Sequence, residues 1–105
     1  MQSDVTSLIN QIIAALPVIT LAALHIDREP EILNRAGYSR STFRNRIKEG
    51  LMPSPISLGA RAVGWPRHEI DVILGLTIAD QPDAVIKAVV THLHEQRKNL
   101  ISGTS

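Results

Sequence analysis

Cysteine is absent from the 105 residues of this chain, and only three residues are aromatic. The lack of cysteine excludes disulfide bonds, a thiol nucleophile and zinc sites of the cysteine type. Three rings are too few for a stacking platform that binds single-stranded nucleic acid. No uninterrupted apolar run reaches the roughly 20 residues that span a bilayer, and the N-terminus lacks the positive charge of a signal peptide. We therefore expect a cytoplasmic protein.

The net charge is close to zero, but the charged residues are unevenly distributed along the chain. The 11 basic and 10 acidic residues give a net charge of +1. Between residues 35 and 67, however, seven basic residues stand against one acidic residue, Glu49. Such a basic segment is typical of a local anionic partner, although a solvated basic surface has the same composition.

Apolar residues make up 44% of the chain, enough for one modest core. At helical three- and four-residue steps they predict a helix over residues 4–16, which Pro17 ends. The same spacing predicts the longest helix over residues 83–100. Each of these helices has an apolar stripe that needs cover, either from the other helix or from a second copy of the chain.

The middle of the chain has a different pattern. A helix that begins near Pro30 and ends at Gly37 is followed by a second, capped by Ser39 and ended by Gly50. Two short helices around a glycine turn are typical of a helix-turn-helix. Residues 56–58 and 62–65 alternate as strands around a tight turn, which predicts a β-hairpin, or wing. Another helix is predicted over residues 67–76.

The predicted fold class is therefore mainly α, a winged helix-turn-helix core with one small β-hairpin and amphipathic helices at both ends. We expect a single domain over residues 1–105. Its parts are an N-terminal helical extension (1–26), the core (27–78) and a C-terminal helix (82–101).

The second helix of the pair has two faces. At about 100° per residue, Phe43 and Ile47 point inward together. The opposite face is polar and suits the major groove of B-DNA, where arginine pairs with guanine and asparagine with adenine. This face comprises Ser41, Arg44, Asn45 and Lys48, with Arg40 beside it.

Other residues of this segment have supporting roles in the prediction. Lys48 and Arg46 are expected to contact phosphates, and Arg61 to approach the phosphate backbone or minor groove from the wing tip. Trp65 is assigned to the core, packed on Phe43 or Ile47 with its N–H bonded to a backbone carbonyl.

The sequence offers no constellation for catalysis, a cofactor or a metal ion. No nucleophile–base pair and no Gly-rich phosphate loop is present. His92 and His94 point about 200° apart on a helix, so they cannot share a metal, and we expect both in solvent. His25 and His68 have no partner at metal-ligand spacing. The expectation is a protein that is not an enzyme.

Three motifs in this segment resemble a known family: Gly37-x-Ser39-Arg40-Ser41-Thr42, then Glu49-Gly50-x-x-Pro53, then Leu58-Gly59-x-Arg61-x-Val63-Gly64-Trp65. They stand in order over residues 32–76 and are similar to those of the AlpA-type phage regulators, which group with small excisionases and MerR-like winged helix-turn-helix proteins. Where the family often has glycine before the wing arginine, this chain has Ala60.

The resemblance implies a DNA-binding regulator of a prophage or integrated element that acts on transcription, on excision, or on both. It places the start of the recognition helix at Ser39, Arg40, Ser41, Thr42, Arg44 and Asn45, and the wing contact at Arg61. The expected partner is double-stranded DNA in the nucleoid, bound by a homodimer or a cooperative assembly. The alternative is a helical protein-interaction module, such as an antitoxin-like protein or an adaptor.

Overall fold

The computed structural model describes the backbone of residues 2–101 and the side chains of residues 4–101. Within that range the chain is mainly helical, with a small antiparallel sheet. The helices are α1 (Gln2–Ala15), α2 (Glu29–Ala36), α3 (Arg40–Lys48), α4 (Arg67–Ile78) and α5 (Asp83–Gln96). The strands are β1 (Ile26–Asp27), β2 (Ile56–Ser57) and β3 (Val63–Pro66), and single 3-10 turns lie at Leu21–Ala23 and Arg97–Asn99. The predicted fold class is confirmed.

The helix-turn-helix forms where local signals agree. The side chain of Glu31 accepts a hydrogen bond from the Arg28 N–H at the start of α2 (3.0 Å). Gly37 ends α2 in the left-handed region (φ 72°), where its N–H donates to the Leu33 carbonyl. Ser39 then caps α3 by accepting from the Thr42 N–H (3.2 Å). The turn between the helices is therefore as short as predicted.

The wing is a two-stranded hairpin with β2 paired to β3 in the register Ile56 to Gly64 and Ser57 to Val63. Its turn includes Gly59 (φ 97°) and Ala60 (φ 47°), both in the left-handed region. Alanine at that φ is strained, which accounts for a glycine preference at this position. The turn closes through the Ala62 N–H, which donates to the Gly59 carbonyl (2.9 Å).

A third strand, β1, was not predicted. It pairs with β3 on the side opposite β2, with Ile26 opposite Pro66 and Asp27 opposite Trp65. Gly64 packs so closely against β1 that a Cβ there would lie 2.5 Å from Cγ2 of the Ile26 side chain and 3.2 Å from the Asp27 carbonyl oxygen. Two residues are too few for a periodic pattern, so sequence alone gave no signal for β1.

One core lies beneath the wing and between the last four helices. Phe43 is fully buried and its ring centroid lies 5.1 Å from that of Trp65, whose Nε1–H donates to the Pro53 carbonyl (2.9 Å). The core assignment of Trp65 is thus confirmed. The buried apolar set is Ile32, Phe43, Leu51, Met52, Trp65, Ile70, Ile73, Val85, Ile86, Val89, Val90 and Leu93.

The terminal helices contact each other within one chain, so the apolar stripe of α5 is buried. The stripe of α1 is partly buried against the same core; it comprises Leu8, Ile9, Ile12, Ile13 and Leu16. The structure therefore adopts the intrachain solution to the problem of covering these stripes. Self-association stays a prediction. The helix expected over residues 83–100 ends at Gln96 and tightens into the 3-10 turn, a common C-terminal geometry.

Candidate nucleic-acid interface

The outward face of α3 carries most of the predicted DNA-binding residues. All of the following are exposed: Ser39, Arg40, Ser41, Thr42, Arg44, Asn45 and Lys48. Phe43 is buried and Ile47 is half-buried on the opposite side, so the helical-wheel analysis of this element is confirmed. The hydroxyl of Ser39 donates to the hydroxyl of Thr42 (2.9 Å) at the N-terminal end of α3.

Two arginines of this face share one carboxylate. Arg44 donates to Glu29 through Nε (to Oε2, 3.1 Å) and through Nη2 (to Oε1, 3.1 Å). Arg40 Nε lies 3.6 Å from Oε1 of the same side chain. The hydrogen bond to Glu29 and its negative charge raise the pKa of Arg44 above its usual value. Sequence reasoning missed Glu29, because a contact between residues 15 positions apart on two helices has no local signature.

Arg46 lies nearer the buried side of α3 than its neighbours do. Its guanidinium carbon is 5.5 Å from the centroid of the Tyr38 ring, a cation–π contact. Its Nε is buried and makes no hydrogen bond within residues 4–101. The predicted phosphate contact of Arg46 is therefore untested, and packing on Tyr38 is its observed role.

The wing and α3 border one shallow groove of about 330 Å3. Its lining is mainly apolar, with charged side chains from both helices. The lining residues are Glu29, Arg44, Ile47, Lys48, Pro55, Val63 and Trp65. Arg61 is exposed in the wing turn, and among the described residues neither it nor Lys48 has an ion-pair partner. Lys48 and Arg61 are thus two exposed cations of the basic segment that no described carboxylate neutralises.

Two further cations of the basic segment are used inside the protein. Asp27 is fully buried and accepts hydrogen bonds from Arg67 (Nη2, 2.8 Å; Nε, 3.0 Å) and from Arg35 (Nη1, 3.2 Å). Burial opposes ionisation of Asp27, but the hydrogen bonds and charge of Arg67, with the charges of Arg35 and His25, lower its pKa overall. Arg35 and Arg67 therefore tie β1, α2 and α4 together.

The same region contains the one group of side chains, among those described, that could hold a metal ion. One ligand atom each from His25, Asp27 and Glu31 lie within 4.8 Å of one another. The prediction that His25 lacks such partners is therefore wrong, because β1 folds it next to Asp27 (3.6 Å). However, Arg67 already bonds Asp27 and lies 3.9 Å from Glu31, so a cation would have to displace a guanidinium.

His92 and His94 are both half-buried rather than in solvent, which corrects the prediction. His94 also has a hydrogen-bond partner in the chain. Its Nε2 accepts a hydrogen bond from the Ser54 N–H (3.1 Å). Burial, and then the nearby charge of Arg97, lower the pKa of His94. Although Ser54 Oγ is also close to Nε2 (3.4 Å), the nitrogen lone pair is already used by the backbone, so the pair does not form an activated nucleophile.

Arg97 completes this second interior network. It bridges buried Glu69 on α4 (Nη2 to Oε1, 2.6 Å) and the Ser54 carbonyl (2.7 Å). A buried carboxylate is costly without such a partner, so the C-terminal helix is anchored to the base of the wing.

Comparisons with known proteins cover the segment that contains this surface. Residues 25–72 match the family model described as "Prophage CP4-57 regulatory protein (AlpA)". The match covers both helices of the helix-turn-helix, the wing, β1 and the start of α4. The resemblance to the AlpA-type phage regulators is confirmed for this segment.

A curated relative extends the likeness to a phage protein. The chain is 36% identical over 52 residues to "Uncharacterized protein ORF88" of Enterobacteria phage P4. The alignment covers 50% of this chain and 59% of the relative, so this chain spans less than two thirds of that protein's length. No solved structure matches the chain. Across the described residues, no helix has the length and apolarity that crossing a membrane requires.

Proposed function

We propose that this chain is a sequence-specific regulator that binds double-stranded DNA of a prophage or integrated element, and acts in transcription, in excision, or in both. The observation that carries the proposal is the exposed face of α3 beside the cationic wing. Arg44 and Asn45 are of the types that read guanine and adenine in the major groove, and they lie within the family-matched segment.

The parts of this surface have distinct roles in the proposal. The exposed polar residues at the start of α3 read bases or orient the helix: Ser39, Arg40, Ser41, Thr42, Arg44 and Asn45. Lys48 and Arg46 contact phosphates, and Arg61 contacts the backbone or minor groove from the wing. No cofactor takes part, and the protein works in the nucleoid.

A single helix-turn-helix makes few base contacts. Two copies on half-sites about one helical turn apart would double them, which supports binding as a dimer or as a cooperative assembly. Sedimentation velocity of the protein, alone and with a selected duplex, tests this part. A single copy bound per duplex at saturation would contradict it.

The test of the proposal is selection from a library of random duplexes, followed by gel-shift titration of the enriched sequence. We expect one enriched motif, tighter binding to it than to a scrambled duplex, and affinity that falls steeply with salt. Failure to retain any duplex at low salt would overturn the proposal. Binding of all duplexes alike would leave only non-specific association and would contradict the sequence-specific part.

One observation favours the alternative, a protein-interaction module. A cleft of about 730 Å3 lies between the end of α1 with residues 17–19 and helices α4 and α5. It has several apolar lining residues, and Val18 beside it is 91% exposed. An adaptor would bind its partner there and would not be retained on duplex DNA.

A further inference from the structure

We propose that Glu29 is a positioning residue: it holds Arg44 in the orientation for base recognition and so contributes to the choice of DNA sequence. This inference rests on the proposed DNA-binding function. Glu29 itself contacts no base in this scheme, because it acts through the arginine.

The hydrogen-bond pattern of Arg44 supports this role. Glu29 uses Nε–H and one N–H of Nη2, the donors along one side of the guanidinium. A guanidinium has five N–H donors, so three remain. Two of these, on Nη1 and Nη2, form a second parallel fork at the end of the side chain. That fork is the donor pair that matches guanine O6 and N7.

Glu29 is more buried than Arg44, as a residue that positions another side chain has to be. The Glu29 side chain is 16% exposed, whereas Arg44 is 59% exposed. Glu29 is held at the first residue of α2, where the helix dipole stabilises a negative charge. The carboxylate is thus the fixed partner, whereas the exposed arginine would otherwise sample many side-chain conformations. Holding it before binding reduces the entropy lost on contact.

Arg40 offsets the electrostatic cost of placing an acid on a DNA-binding face. Its Nε lies 3.6 Å from the same carboxylate, so two positive charges surround one negative charge. A lone carboxylate would repel phosphates, but this trio retains a net positive charge. Glu29 can therefore orient its partner without making the surface acidic.

The experiment compares affinities for the enriched duplex and for its scrambled counterpart in wild type and in Glu29→Gln. The substitution keeps the shape and removes the charge. We expect the affinity ratio between the two duplexes to fall about tenfold, within the range for one bidentate base contact. Affinity for the scrambled duplex should hold or rise, because a negative charge has gone.

Glu49→Gln is the matched control. Glu49 follows the last residue of α3 and is exposed. Its substitution removes the same charge at a side chain that does not bond Arg44. Its affinity ratio should equal that of wild type. Glu29→Asp keeps the charge and shortens the reach by one methylene. It should lower the ratio too, and it provides the test if Glu29→Gln does not fold.

Each remaining result contradicts a defined part of the scheme. If Glu29→Gln binds both duplexes more tightly by the same factor, Glu29 competes with DNA and does not position the arginine. If the ratio stays at the wild-type value in both Glu29 variants, Glu29 has no part in specificity. If wild type itself enriches no sequence, the proposed function fails, and this inference fails with it.

Discussion

Four arginines of the basic segment lie in two regions of the molecule that use the same side chain differently. On one side, Arg35 and Arg67 bond buried Asp27 and join three elements. On the other, Arg40 and Arg44 are exposed on α3 and share Glu29, which lies at the edge of that surface. The role of an arginine in this protein therefore depends on how deeply its carboxylate partner is buried. In the interior region the pair holds the fold, and at the surface it leaves donors free for a ligand.

The largest effect is expected in the interior region. Asp27→Ala removes the buried carboxylate that joins two partly exposed guanidinium groups, which should lower the free energy of unfolding by about 2–3 kcal/mol. Urea denaturation followed by circular dichroism measures this. Asp71→Asn, which removes the exposed partner of Arg35, is the control and should cost less than about 1 kcal/mol. Equal costs for the two variants would remove the distinction between the regions.

The next effect is expected on the surface, in binding. Arg44→Ala or Asn45→Ala should weaken binding to the enriched duplex by about 1–3 kcal/mol and relax sequence preference. The unfolding free energy should stay close to that of wild type, because both side chains are exposed. Gel-shift and urea titrations of the same preparations separate the two quantities. Lys98→Ala, which removes a positive charge outside residues 25–72, serves as the control. A folded Arg44→Ala protein that binds like wild type would show that α3 is not the recognition helix.

A smaller and uniform effect is expected for phosphate contacts. Lys48→Ala and Arg61→Ala should weaken binding to enriched and scrambled duplexes alike. Each should reduce the slope of log affinity against log salt by roughly 1. Titrations at several salt concentrations measure the slope. If either variant loses binding only on the enriched duplex, that residue reads sequence and does not contact phosphate.

The smallest effect concerns pH and the second interior network. Because the pKa of His94 is lowered in the folded protein, the unfolded chain binds the proton more readily as the solution is acidified. The contribution of neutral His94 to the free energy of unfolding should therefore be complete above about pH 7. It should be lost progressively as the pH falls below the ordinary histidine pKa of about 6.5. Urea titrations across this range should show a flatter pH profile for His94→Gln. His92→Gln on the same helix is the control, and identical profiles for the two variants would contradict the assignment.

Much of the fold was predictable because its signals are local. The cap at Ser39, the left-handed Gly37 and the spacing of Phe43 act within a few residues of themselves, so they can be read without knowing the rest of the chain. Most of the failures were non-local, because the strand β1 and the burial of His94 depend on residues 38 to 40 positions away. The partners of His25, Asp27 and Glu31, are only two and six positions away, but their side chains meet only once β1 and the start of α2 have formed.

The candidate site, like the fold, combines features that the sequence predicts with features that depend on tertiary contacts. The sequence alone shows which face of α3 is exposed, because helix geometry sets that face once Phe43 is placed inward. It also placed a cation in the wing turn. Which of the seven cations of the basic segment lack an ion-pair partner depends instead on the tertiary contacts. Ion pairs form between elements that meet in space, so Asp27 takes Arg35 and Arg67 while Glu29 takes Arg44 from the side. The composition gives all of these cations the same weight. The position and burial of the two carboxylates decide which arginines are held inside the fold and which keep donors exposed.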